Sequence, residues 1–392
     1  MYTQNYTGLK AKLSEAGIRY IREGANQGTY AKINDLYQSL GIKTNIVTGR
    51  RSGAWPAPLD PSQIDTELND IKTQVLNATV TLEGPNEYDV SHGPDPDRVG
   101  KIKNYSYTLY PKAKADTLLE NLPVIGPSFT REEAYEAVGD SDQFIDYTNV
   151  HLYQGNHWPG SNGWGDHGYG SIRWALAWLA RFQSPSGKLV QSTEAGYSNY
   201  LPTGGISEEA EGKYTARMLA EFFRRSFART YKYELVNEGQ AGSEGVYGLL
   251  CNDLSEKPAF RAVKNLITIL TDKGPTFEPG SLNYALDNDV DNIWHILFQK
   301  RNDDFYLMVW LKLSSWDANA QKDLYPPTQK VLLTLLHPHN ISSATLYAFN
   351  NTADVNTSTL SINNNQMTLN VTDKISIIKL SNRTDSILPV FP

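Results

Sequence analysis

Cysteine is nearly absent from the chain, with Cys251 alone among 392 residues. An internal disulfide is excluded, and cysteine usage leaves the redox compartment open. No run approaches the roughly 18 apolar residues of a membrane span, so no membrane partner is expected. Met1 leads straight into polar Tyr2-Thr3-Gln4-Asn5, so a signal peptide is either absent or already removed. A basic excess is missing as well. With 36 Lys and Arg against 43 Asp and Glu the net charge is -7, which leaves nothing to displace counterions from a nucleic acid and makes a neutral ligand the better fit. The sequence contains no Gly-x-Ser-x-Gly elbow, no Gly-x-x-x-x-Gly-Lys phosphate loop and no zinc-type spacing of its histidines. Asp287-Asn288-Asp289-Val290-Asp291 alternates oxygen donors, but the sixth position is not Gly and the twelfth is not Glu, so it reads as a solvated turn. No metal or cofactor is expected.

Aromatic residues are plentiful: 11% of the chain, with 8 Trp and 23 Tyr. Flat rings with polar tips stack on sugar faces, though they fill cores and interfaces equally well. The pattern along the chain is strand and helix in strict alternation. Helices are expected at Thr7 to Ala16, Tyr30 to Leu40, Ile64 to Val75, Arg98 to Leu119, Glu132 to Ile145, Ser171 to Phe182, Glu208 to Ala228 and Ala259 to Thr271. Strands are expected at Ile18 to Arg22, Lys43 to Val47, Val80 to Glu83, Val124 to Gly126, Tyr147 to Tyr153, Leu189 to Glu194 and Tyr233 to Val236. Such alternation over some 270 residues argues for a parallel sheet closed into a (β/α)8 TIM barrel. One strand is missing, because the series opens on a helix; either the six amino-terminal residues supply a stub or the barrel keeps a gap. After Gly274-Pro275 short alternating runs from Ile293 to Leu380 follow without helices, the texture of an antiparallel β-sandwich. The expected domains are therefore 1–273, a catalytic barrel, and 274–392, a C-terminal β-sandwich that braces it.

Two strands share one design. Thr79-Val80-Thr81-Leu82-Glu83 runs into Gly84-Pro85-Asn86-Glu87, and Leu189-Val190-Gln191-Ser192-Thr193-Glu194 runs into Ala195-Gly196. Each delivers a glutamate to a strand's carboxyl end, where parallel barrels do their chemistry. Two such carboxylates are what glycoside hydrolysis needs, one to protonate the leaving oxygen and one to attack the sugar.

At Leu82-Glu83-Gly84-Pro85-Asn86-Glu87 and Ser192-Thr193-Glu194 the chain resembles the clan A retaining glycoside hydrolases. The layout and Gly17-Ile18-Arg19-Tyr20-Ile21-Arg22 make it most similar to family 39-type and related members. The resemblance implies that Glu87 is the general acid/base and Glu194 the nucleophile. It implies that Asn86 binds the sugar 2-hydroxyl, that Arg22 keeps Glu194 ionised, and that His151 and Tyr153 orient the two carboxylates. The tryptophan that commonly ends the last barrel strand is absent; Val236-Asn237-Glu238-Gly239 stands there instead. Trp55 in the loop after Val47, and Trp158 and Trp164 in the Gly-rich loop 155–170, are the candidate sugar contacts, with Glu238 as a rival carboxylate or subsite residue. Each has a plainer reading. A strand-end glutamate can cap a turn, Glu83 can pair with a neighbouring cation, Arg22 can sit in a core ion pair and His151 can satisfy a backbone carbonyl.

The expected protein is a monomeric, secreted or periplasmic retaining glycosidase acting on a β-linked polysaccharide or oligosaccharide by double displacement. A non-catalytic carbohydrate-binding barrel and a transglycosylase remain the alternatives.

Overall fold

The computed structural model describes residues 5–24, 26–49, 59–91, 97–238, 246–287, 290–337 and 340–382. Trp55 lies outside them, as do Asn288 and Asp289 of the acidic turn. The chain packs as two compact units.

The first unit, residues 1–154, 162–196 and 222–235, carries the parallel strands. In chain order they are β1 (Tyr20–Gly24), β2 (Lys43–Val47), β3 (Thr79–Glu83), β4 (Val124–Ile125), β5 (Thr148–His151), β6 (Val190–Ala195) and β7 (Arg229–Lys232). The helices α1 (Tyr6–Glu15), α2 (Tyr30–Leu40), α3 (Ile64–Asp70), α4 (Tyr88–Ser91), α5 (Arg98–Ala115), α6 (Glu132–Val138) and α7 (Ile172–Trp178) alternate with them. Strands β1 to β4 form one parallel ladder and β5 to β7 another, joined where Ile125 bridges Tyr147. This is a TIM barrel with seven strands among the described residues.

No described residue ahead of α1 forms a strand, and no ladder joins β7 to β1 among the described residues. At that junction the Arg229 guanidinium lies 3.9 Å from the centroid of the Tyr20 ring. Local sequence sets the joints. Gly41, at φ 68°, ends α2 in the left-handed conformation that other residues adopt only at a cost, and turns the chain into β2. Among barrel-facing residues the pattern is polar: Arg22 pairs in register with Asn45, and Asn45 with Thr81.

One strand differs from its expected place. The last barrel strand is Arg229–Lys232, not Tyr233 to Val236, because the preceding helix α8 (Glu208–Arg224) stops four residues before the expected Ala228. Ser226 turns left-handed at φ 62°, and the Phe227 amide closes back on the Phe222 carbonyl at 3.0 Å. The apolar signal of β7 is weak because only Tyr231 of its four residues is buried. Tyr233 therefore follows the strand's end rather than starting it.

The second unit comprises residues 155–161, 197–221 and 236–392, so segments before residue 274 belong to it as well. It contains most of α8, the helix α9 (Pro258–Leu270) and antiparallel strands β8 (Tyr284–Asp287), β9 (Ile293–Gln299), β10 (Phe305–Leu311), β11 (Trp316–Asp317), β12 (Lys322–Asp323), β13 (Gln329–Leu335), β14 (Ile341–Phe349), β15 (Val355–Leu360), β16 (Gln366–Val371) and β17 (Ser376–Asn382). A five-stranded sheet ordered β15-β14-β17-β10-β9 faces a three-stranded sheet ordered β16-β13-β8. Leu307, Val309 and Leu311 of β10 meet Val331, Leu333 and Leu335 of β13 between them. The alternate residues Tyr306, Met308 and Trp310 pack instead with Ala216 and Ala220 of α8 and with Ala262 and Leu266 of α9. Because β10 is covered on both faces, Phe305-Tyr306-Leu307-Met308-Val309-Trp310-Leu311 is continuously apolar, where β16 alternates buried and exposed residues. Truncating fully buried Leu307 to Ala is expected to lower stability by about 2–5 kcal/mol, read as a lower urea midpoint.

Candidate active site

The carboxyl ends of β1, β3, β5 and β6 converge on one cluster of polar side chains, all in the first unit. At its base sits Glu83, the last residue of β3, with 0% of its side chain exposed. Arg22 of β1 grips it with two bonds, Nε to Oε2 at 2.8 Å and Nη2 to Oε1 at 2.7 Å. Asn45 and Asn149 donate to the same carboxylate, the latter at 3.2 Å. So placed, the guanidinium has its third nitrogen free to reach upward. Nη1 donates to Glu194 Oε1 at 2.6 Å, and Nη2 also donates to Asn86 Oδ1. The Asn86 amide nitrogen finds no acceptor among the described residues, so it remains available as a donor.

Glu194 is held from three sides. Arg22 occupies Oε1, Tyr153 donates its hydroxyl to Oε2 at 2.7 Å, and His151 Nδ1 stands 3.5 Å from Oε2. Burial alone would raise its carboxyl, but the charges of His151 and Arg22 and the bonds from Tyr153 and Arg22 outweigh it, so the pKa falls below the ordinary carboxylate value. Glu83 follows the same logic: burial works upward, Arg22 works downward and prevails. In turn the two carboxylates raise Arg22 against the opposing effect of burial. All three groups are therefore charged at neutral pH.

Glu87 enters from a distorted segment. After Gly84-Pro85, Asn86 bridges Ser128, and Glu87 takes a left-handed φ of 45° while its amide bonds the Ser128 carbonyl at 3.1 Å. A non-glycine residue in that conformation carries strain, typically about 1–3 kcal/mol at functional positions. Its carboxylate reaches His151, with Oε1 2.6 Å from Nδ1. The ligand-type atoms of Glu87, His151 and Glu194 all lie within 4.8 Å of one another, the one such trio among the described residues. Both oxygens of Glu194 already accept from Arg22 and Tyr153, and a cation would have to compete with the guanidinium for them. A proton can pass between Glu87 and His151 here while Glu194 stays ionised, and we assign no metal to the trio.

Arg22, Asn86, Glu87, His151, Tyr153 and Glu194 are thus brought together, and the partners of His151 are side chains rather than a backbone carbonyl. Trp164 is 37% exposed in the loop that pairs it with Tyr169, their ring centroids 6.2 Å apart. Trp158 belongs to the second unit, where it packs against Trp294 at 5.8 Å and lies 5.6 Å from the Arg217 guanidinium. Glu238 also belongs to that unit and is exposed.

Four residues escape the sequence reading. Asn45 and Asn149 are signalled by being polar within otherwise apolar strands, and Thr193 by directly preceding Glu194. Tyr233 is the aromatic that ends the last barrel strand, hidden by the misplaced strand. Its ring stands edge-on to Tyr153 with centroids 6.4 Å apart, and it passes so close to β6 that any side chain at Gly196 would come 2.2 Å from the Tyr233 carbonyl oxygen.

No protein-family model and no curated protein matches the sequence. Solved structures do. A family 39 glycoside hydrolase from the gut symbiont Bacteroides cellulosilyticus WH2 superposes with a TM-score of 0.66 over 97% of this chain and 79% of its own, at 16% identity. The chain has the fold of the clan A glycoside hydrolases. A GH51 arabinofuranosidase from Xanthomonas axonopodis pv. citri gives 0.60 at 10% identity, covering 95% and 89% of the two chains. A monomeric β-xylosidase from Caulobacter crescentus CB15 gives 0.59 at 14% identity, covering 96% and 92%.

Proposed function

We propose that the protein is a retaining glycosidase acting on a β-linked oligosaccharide or polysaccharide. The observation that carries the reading is the approach of Glu87 and Glu194 oxygens to within 4.8 Å across the site, with Glu194 ionised. Retaining enzymes keep their carboxyl groups about 5–5.5 Å apart, whereas a water between them in an inverting enzyme needs about 6.5–9.5 Å.

In the first step Glu194 attacks the anomeric carbon as Glu87 gives its proton to the departing glycosidic oxygen, forming a glycosyl ester and a free alcohol. In the second, Glu87 removes a proton from water, the water oxygen bonds the anomeric carbon, and the ester breaks to return Glu194 as carboxylate. Arg22 keeps the nucleophile charged and shaped between attacks. Asn86 offers its free amide donor to the sugar hydroxyl beside the reacting carbon, and Tyr233 offers an apolar face beneath the ring.

The structural relatives named as a β-xylosidase and an arabinofuranosidase make pentosides the first substrates to try. Reducing-sugar release from a panel of xylans, arabinans and β-glucans, with aryl β-xylosides, α-arabinofuranosides and β-glucosides alongside, is expected to give turnover that both Glu87→Gln and Glu194→Gln lose. Binding without turnover on every member of the panel would instead favour a carbohydrate-binding barrel.

The Tyr153 hydroxyl stabilises only the ionised nucleophile, so Tyr153→Phe is expected to raise the Glu194 pKa and shift the acid limb of kcat/KM to higher pH. A charge-assisted bond of about 1.5–3 kcal/mol corresponds to roughly a 10- to 100-fold loss of kcat/KM. An unmoved acid limb would place Tyr153 outside the nucleophile's environment.

A further inference from the structure

We propose that Thr193 selects the tautomer of His151 and thereby keeps a proton between His151 and Glu87, making Thr193 a positioning residue for the acid. The inference rests on the glycosidase reading for its kinetic consequence, but its structural premise stands apart from it.

Asn149 donates from Nδ2 to Glu83 Oε1 at 3.2 Å and to the Gly126 carbonyl at 3.0 Å; both partners are acceptors, so the amide cannot be reversed. Its Oδ1 therefore faces the Thr193 hydroxyl at 2.9 Å as an acceptor. Glu83 Oε1, ionised in the grip of Arg22, stands 3.0 Å from the same hydroxyl. Thr193 has one hydrogen and two acceptors competing for it. It can turn only a lone pair toward its third neighbour, His151 Nε2 at 3.0 Å, and so Nε2 must carry a hydrogen.

With Nε2 protonated, the neutral ring presents a bare lone pair at Nδ1. Glu87 Oε1 lies 2.6 Å from it, too close for a lone pair to face a carboxylate. One proton must sit between them, on the Glu87 oxygen or on Nδ1, and moving it from one to the other changes no net charge. Losing it leaves two electron pairs opposed. The charged groups acting on the ring are Glu87 and Glu194 at Nδ1 and Glu83 of β3, the last two each paired with Arg22 of β1. Asp89, Tyr135 and Tyr169 act electrostatically on Glu87. Threonine alone among the ring's direct neighbours fixes which nitrogen is bare.

In Thr193→Val the Nε2 hydrogen loses its acceptor. The ring is then free to carry its hydrogen on Nδ1, where it can donate to ionised Glu87, so the deprotonated pair is stabilised relative to the wild type. The acid should discharge at lower pH. Thr193→Ser keeps the hydroxyl and should behave as the wild type.

Two measurements test this on the full chain. Nitrogen-15 NMR of the His151 ring is expected to show a protonated Nε2 in the wild type and in Thr193→Ser, and a population protonated at Nδ1 but not Nε2 in Thr193→Val. A wild-type ring that is neutral with its hydrogen on Nδ1 would overturn the assignment, whether or not the protein hydrolyses a glycoside and whether or not the valine variant folds. In kinetics the alkaline limb of kcat/KM should move down by about one pH unit in Thr193→Val and stay in place in Thr193→Ser, one unit being the scale set by a single hydrogen bond. A valine variant whose limb stays put while its rate falls would reduce Thr193 to packing.

Discussion

Glu194→Gln is expected to lose roughly 10⁴- to 10⁶-fold in kcat on any substrate the protein turns over, the scale seen when a covalent nucleophile is removed. The amide keeps the shape, but its single oxygen can accept from only one of Arg22 and Tyr153, which bond different oxygens of Glu194, and it cannot form the glycosyl ester. Glu87→Gln should behave differently. Its loss depends on how much help the leaving group needs: about 10²- to 10⁴-fold for an alkyl or sugar leaving group, far less in the first step for an activated aryl glycoside. With aryl substrates the second step then becomes limiting, and a burst of released phenol should precede a slow steady state. Equal losses in both variants across leaving groups would contradict the division of roles.

Glu83→Gln, at a fully buried side chain, is expected to cost up to about 3–5 kcal/mol of stability, seen as a lower urea midpoint. Removing one partner of a buried ion pair is strongly destabilising, and here Arg22, itself 14% exposed, loses the charge it meets with two bonds and keeps only Glu194 as an ionised partner. The pH dependence has a definite sign. Because the folded protein holds the Glu83 carboxyl below its ordinary value, its contribution is fully present above the unfolded pKa of about 4.3 and is lost progressively as pH falls toward the folded value. The gap between wild type and variant should therefore begin to narrow below about pH 4. A variant as stable as the wild type at neutral pH would mean that Glu194 alone suffices to compensate Arg22.

The sequence reveals the barrel because strand and helix alternate with different periods, and the positions of Glu87 and Glu194 because each follows a buried run that ends in turn-forming residues. What it hides is what depends on closure. The place of β7 is lost since only Tyr231 of its four residues faces inward, and a helix stop at Ser226 leaves no Gly or Pro to announce it. With β7 displaced, Tyr233 is lost as well. The links from Glu83 through Thr193 to His151 join residues 83, 151 and 193, and nothing local in the sequence pairs them; only the circular neighbourhood of strands β3, β5 and β6 does. Even so, a polar residue inside an apolar strand, as at Asn45 and Asn149, is a usable mark of a barrel interior that holds charge. Trp158, the aromatic of the Gly-rich loop read as a candidate sugar contact, has Trp294 and Arg217 as ring neighbours, and nothing local in the sequence pairs it with either.

The most direct test of the central claim is the anomeric configuration of the first product, followed by proton NMR during hydrolysis of whichever β-glycoside in the panel is cleaved. If Glu194, held ionised in the free protein with an oxygen within 4.8 Å of one of Glu87, is the nucleophile as proposed, the β-anomer forms first and only later mutarotates. Initial release of the α-anomer would mean that water attacks directly, and the assignment of Glu194 as the group that bonds the sugar would be wrong.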